Sequence, residues 1–181
     1  MPLSIYQLSI PAFLRGLAIA GEYCHKASAF CTERGISPST LIDARLAPDM
    51  LPFAGQIQRI SDTSKRPAAR LAAIEPPAYE DTERTFPELQ ARIEKTCGFL
   101  RSISPEQFDS APSRLIESRL PSGGVEHLPA ETYLLTRALP NFYFHLVTVT
   151  AHDILRHMGV SVGKRDYLYL PGEVGSSKKP A

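Results

Sequence analysis

Apolar residues recur at intervals of three and four along four long stretches of the chain, the spacing of one helix face turned to a core. In the first, from Ser4 to about Glu33, Ile10, Phe13, Leu14, Leu17, Gly21, Cys24 and Cys31 follow this spacing. Ser9 with Pro11 in the first turn can start the helix, or Pro11 kinks one that starts earlier, and Gly35 stops it. A short helical turn in SPSTLIDARLA leads to a second helix from Pro48, marked by Met50, Phe53, Ile57, Ile60 and Ser64. Pro67 is expected to bend or split it, and Pro76 and Pro77 end it. The segment PPAYEDTERTF crosses to a third helix that opens on a capping box, Thr85 with Glu88, and carries Phe86, Leu89, Ile93, Cys97 and Leu100 on one face. Residues 113–128 break the helical period around Pro-Ser-Gly-Gly and predict a small β-hairpin. The fourth helix runs from about Pro129 to a stop at Gly159.

Four amphipathic helices of this kind predict an all-α four-helix bundle, with a long crossover between helices 2 and 3 and the hairpin before helix 4. Strands do not alternate with helices, which excludes a doubly wound sheet. Residues 1–171 form one expected domain, and residues 172–181 are expected to be a flexible tail.

The fourth helix is the most apolar segment and holds three of the five histidines. At about 100° per residue, Phe144, Val147, Ala151, Ile154, Leu155 and Met158 form its expected core face. Asn141, His145, Thr148 and His152 line up beside that face. Such a ladder either lines a cleft or satisfies buried carbonyls and water. Pro140 removes the amide partner of the Thr136 carbonyl and is expected to kink the helix.

Composition narrows the partners. The 181 residues are 43% hydrophobic and 22% charged, with 20 basic and 19 acidic side chains for a net charge of +1. This balance leaves no basic face able to neutralise several phosphates, which argues against nucleic acid. No apolar run reaches a membrane span and Arg15 interrupts the start, so neither a membrane nor a secretory signal is expected. Cys24, Cys31 and Cys97 are odd in number and sit at helix positions, as reduced core thiols of a cytoplasmic protein do.

The residues best placed for chemistry follow from the ladder. An imidazole titrates near neutrality and moves protons at working pH. His145 and His152 are therefore the candidate catalytic residues, and Asn141, Tyr143, Arg45, Asp49 and Gln56 the candidate substrate-binding residues. Arg45 and Asp49 have a structural alternative as an ion pair. His157 suits the dipole at a helix C-terminus, and His25 and His127 read as surface residues. The function these residues support is metal-independent acid/base chemistry, of isomerase, cyclase or dehydratase type, on a small organic molecule. No cofactor is required by it.

The stretches DARLAPDMLPFAGQIQ, TFPELQARIEKTCGFL, LPNFYFHLVT and ILRHMGVSVGKRDYL, in this order, resemble the DUF1993 family from Met1 to about Leu168. That family is similar to the DinB/YfiT-like group, and the resemblance implies a four-helix bundle with a long second crossover. It also implies a homodimer and a divalent metal on three histidines, as in metal-dependent hydrolases or thiol transferases. The implied metal pattern needs one histidine on helix 2 and two at i, i+4 on a later helix. Residues 39–76 contain none, and the helix 4 histidines are spaced seven and five apart. A non-catalytic ligand-binding or dimerisation module is the third reading.

Overall fold

The computed structural model describes residues 3–120, 122–148 and 151–172; the side chain of Thr148 and the tail from residue 173 lie outside the described residues. The first helix, α1, spans Ile5–Arg34. It starts at Ser4, earlier than Ser9, because Ser4 and Gln7 form a capping box that satisfies two end groups reciprocally. Ser9 is buried inside the helix and donates to the Ile5 carbonyl at 2.7 Å. Gly35, with φ 63°, closes the helix as expected.

After a short helix α2 (Pro38–Ile42), the loop to α3 (Phe53–Ala72) is tied back by the Phe53 amide, which donates to the Ala44 carbonyl at 2.9 Å. Helix α3 passes through Pro67 without splitting and stops at Ala72, four residues before Pro76. Its stop is a Schellman turn: Ala73 adopts φ 55° and the Ile74 amide donates to the Ala69 carbonyl. Helix α4 (Phe86–Ser102) opens on the Thr85–Glu88 capping box. Strands β1 (Leu115–Arg119) and β2 (Val125–Pro129) form the antiparallel hairpin, with Ile116 opposite Leu128.

The fourth helical segment follows β2 directly. It comprises α5 (Ala130–Tyr133), a π turn Leu134–Ala138, α6 (Leu139–Tyr143), a second π turn Phe144–Thr148, and α7 (Ala151–His157). The four long segments pack as a bundle around Phe13, Leu17, Tyr23, Phe53, Ile57 and Phe142. A last helix, α8 (Lys164–Leu168), lies on α1 through a 2.6 Å ion pair between Lys26 and Asp166. None of the helices among the described residues is long and apolar enough to cross a membrane.

The expected core face holds in α7, where Ala151, Ile154 and Leu155 are buried, and among partly buried Val147 and Met158, but it fails at Phe144, where the π turns change the phase. Each adds one residue to a turn, so whatever follows is rotated by about 100° from its α-helical position. Phe142 and Leu146 are fully buried where Phe144 was expected, and Phe144 is 45% exposed. The first π turn lies just before Pro140, where the sequence predicts a disturbance. The Thr136 carbonyl, which Pro140 cannot serve, accepts from the Arg137 guanidinium at 3.2 Å.

The crossover between α3 and α4 is pinned by charge. Arg92 on α4, 3% exposed, reaches Asp62 on α3 at 3.2 Å and Asp81 and Glu83 of the crossover at 2.9 and 3.0 Å. It also donates to the Glu80 carbonyl at 2.8 Å. Lys65, 1% exposed, bonds Asp62 and faces the Tyr79 ring, 4.5 Å from its centroid. Burial pushes the Glu83 carboxyl up, but its backbone, Arg92 and Gln58 hydrogen bonds outweigh this and hold it below its ordinary value.

Two substitutions test this account of the packing. A Cβ on Gly16 would lie 2.3 Å from the buried Phe142 ring, so Gly16→Ala should lower stability by about 1–3 kcal/mol in denaturant unfolding. Arg92→Met removes the cation of Glu83 and one of the four on Asp62 and should cost about 1–3 kcal/mol in the same measurement.

Candidate functional site

Between α3 and the fourth helical segment runs a cleft of about 260 Å3. From α3 it receives Arg59, Asp62, Arg66 and Arg70; from the facing segment, Tyr133, Asn141 and His145. The α3 set follows from spacing. Arg59, Arg66 and Arg70 are seven and four apart, which places them within about 40° on one helix face, beside the stripe that carries Ile57 and Ile60.

His145 is half-buried, and its Nδ1 lies 2.9 Å from Gln56 Oε1. The orientation of the Gln56 amide is set by its other end, where Nε2 donates to the Leu51 carbonyl at 3.2 Å. The oxygen therefore faces the imidazole, and an oxygen accepts only, so His145 Nδ1 is the donor. In the neutral ring the lone pair is on Nε2. Burial, and secondarily the Arg59 charge, pull the His145 pKa below its ordinary value of 6.5. The ring is accordingly neutral at pH 7 and suited to accept a proton.

Among the described residues Asp62 is the only carboxylate lining the cleft, and it is 5% exposed. Its Oδ2 meets Arg66 at 3.0 Å and Arg59 at 3.9 Å, while Oδ1 is taken from the interior by Lys65 and Arg92. Arg70 donates to the Glu117 carbonyl at 3.3 Å and stands by the buried Tyr133 phenol. Burial raises the Tyr133 pKa, against the opposing charge of Arg70.

The expected site residues divide. Asn141 and His145 meet in the cleft, and Gln56, 3% exposed, lies behind His145 as its hydrogen-bond partner. His152 does not join them. The second π turn swings it toward α1, where its ring is 5.9 Å from that of Tyr23 and its Nδ1 is 2.8 Å from Asp153. Tyr143 stacks edge-on to Phe142, where burial raises its pKa against the opposing charge of Arg15, and it does not line the cleft. Arg45 and Asp49 are exposed in the loop before α3, outside the cleft, and form no ion pair with each other among the described residues. His25, His127 and His157 are exposed. The sequence reading missed Arg59, Asp62, Arg66, Arg70 and Tyr133, although the seven-and-four arginine spacing was there to be found.

A metal of the kind implied by the family resemblance does not fit this site. Among the described residues no group of three His, Cys, Asp or Glu side chains is arranged to hold an ion. The cleft offers one imidazole and one carboxylate, and that carboxylate is already surrounded by cations.

Comparison with known families matches the family model described as a domain of unknown function (DUF1993) over residues 5–168. Among solved structures, the chain is similar to a DinB family member from Shewanella denitrificans, with 32% identity and a TM-score of 0.83 over 97% of this chain and 96% of that one. Comparison with curated proteins gives no match.

The His145 tautomer predicts a pH response. With a lowered folded pKa, the ring takes up fewer protons in the folded than in the unfolded state between the folded pKa and 6.5. The stability this represents is complete above pH 6.5 and is lost as pH falls toward the folded value. His145→Gln should flatten that part of the stability–pH curve in thermal unfolding. Imidazole nitrogen NMR should find the proton on Nδ1, and a neutral ring protonated on Nε2 would contradict the Gln56 contact.

Proposed function

Since the chain belongs to the DUF1993 family, whose fold it shares with DinB proteins, we propose that the cleft between α3 and the fourth helical segment binds a small organic molecule and moves a proton on it. The observation that carries this reading is the Leu51–Gln56–His145 chain of hydrogen bonds, which presents an imidazole of one tautomer to the cleft. A general base needs a lone pair aimed at the substrate and a proton affinity near working pH. His145 lines the cleft with its basic lone pair on Nε2, and with a pKa below 6.5 the ring is in the proton-accepting form at pH 7.

In this reading His145 Nε2 takes a proton from a carbon next to a carbonyl. The electron pair of the broken C–H bond moves onto the carbonyl oxygen as an enolate. Asn141 and Tyr133, which line the same cleft, would donate to that oxygen, and Arg59 would add positive charge where the negative charge develops. If the deprotonated carbon also carries a hydroxyl, passing that hydroxyl proton to the enolate oxygen and returning the imidazolium proton to the former carbonyl carbon moves the carbonyl by one position, an isomerisation. If instead the carbon on its other side carries a hydroxyl, the enolate pair re-forms the carbonyl, a carbon–carbon double bond forms, and the hydroxide leaves as water with the imidazolium proton, a dehydration. Gln56 acts through His145 as a positioning residue, and His152 has no part in the step.

Proton exchange tests this without knowledge of the substrate. The protein is incubated in heavy water with a panel of small carbonyl compounds and followed by proton NMR. Exchange at carbons next to the carbonyl should fall by about 100-fold or more in His145→Gln. Gln56→Leu should lose about tenfold of rate and alter its pH profile through the His145 pKa. Exchange indifferent to His145, or none on any compound of the panel, would overturn the proposal.

A further inference from the structure

We propose that the molecule bound in the α3 cleft is a small anion, whose carboxylate or phosphoryl group is held between Arg59 and Arg66. This names the ligand class of the site read above, and to that extent it rests on that reading; the charge argument is separate.

Arg59 Nη1 and Arg66 Nη2 converge on one oxygen, Asp62 Oδ2, at 3.9 and 3.0 Å. The other oxygen of Asp62 is committed to the interior, where Lys65 and Arg92 bond it. Asp62 is thus met by four cations, two fully inside the protein, of which Arg92 also pairs with Asp81 and Glu83, and two at the wall of the cleft, for which Asp62 is the carboxylate partner. Among the described residues no second carboxylate lines the cleft to balance the guanidinium groups of Arg59, Arg66 and Arg70.

The side chains of Arg59 and Arg66 are 43% and 58% exposed, so both can be reached from solvent. A guanidinium presents planar, paired donors that match carboxylate and phosphate oxygens. The carboxamide of Asn141 comes to the cleft from the facing helical segment. The cleft is short and the whole chain carries only one net positive charge, which favours a small anion over a polyanion. An anion seated here would also place its neighbouring carbon within the cleft that His145 lines.

The full chain is titrated by calorimetry with inorganic phosphate, malonate and, as a neutral control, glycerol, at constant ionic strength set with chloride. Saturable binding of phosphate or malonate is expected, and which of the two binds tighter tells a phosphoryl ligand from a carboxylate. Affinity should fall by about tenfold or more in Arg59→Gln and in Arg66→Gln, the cost of losing a charged hydrogen bond. Lys164→Gln, an exposed change on α8, should leave it unaltered. Arg66 lies at the surface, and an unchanged melting curve of its variant verifies the fold. Saturation by neither anion, or saturation equal in wild type and both arginine variants (an adventitious ion only), would overturn the proposal. In His145→Gln, anion binding should persist while proton exchange is lost. Exchange without anion binding would sink the ligand class alone, and anion binding without exchange would sink the proton-transfer reading alone.

Discussion

The charge of Asp62 is tolerable only because cations meet it from two sides. A carboxylate 5% exposed pays a desolvation cost of several kcal/mol unless it is paired and hydrogen-bonded. Lys65 and Arg92 meet it from within the bundle, and Arg66 and Arg59 from the cleft. The inner pair has structural consequences: Arg92 carries the same network outward to Asp81 and Glu83 and so holds the crossover against α3 and α4. The outer pair has chemical ones, because it fixes two guanidinium groups in the wall of the cleft. One buried charge on α3 thus joins the packing of the bundle to the electrostatics of its site.

The bundle was legible because its signals are local. The Thr85–Glu88 capping box, the Gly35 stop and the hairpin at residues 113–128 are each specified by a few neighbouring residues, and all three are found. The fourth helical segment was read correctly at Ala151, Ile154 and Leu155 and misread at Phe144, for an equally physical reason. A π turn is one added residue, with no composition of its own, yet it changes the helical phase around it. Phe144 moved out, Phe142 and Leu146 moved in, and the ladder that joined His145 to His152 was cut between them. Pro140 marked the neighbourhood of the first π turn, and no residue marked the second.

The candidate site was half legible for a related reason. Asn141 and His145 follow from one helix, and the arginine stripe of α3 follows from another. That they share a cleft depends on how the two helices pack, which no single-helix pattern contains. Gln56 shows the same limit. Its position near an apolar face made it a candidate for binding, but burial and the Leu51 carbonyl turn its amide toward His145.

The family resemblance implies histidines on the second helix and a later one, around a cation. In this chain the corresponding pair of helices carries guanidinium groups on one side and a single imidazole on the other. These arrangements differ in sign at the point where a ligand would arrive. A metal site attracts electron pairs by coordination and needs deprotonated donors that converge on one point. Fixed guanidinium groups attract anions with no donor set at all, and they hold a neighbouring imidazole neutral. Arg59 would therefore do two things at once under the anion proposal: it would favour a negative ligand, and, after burial, it helps keep His145 in the form able to accept a proton. A bound anion would weaken the second effect by neutralising part of the first, so ligand arrival would itself raise the basicity of the ring beside it.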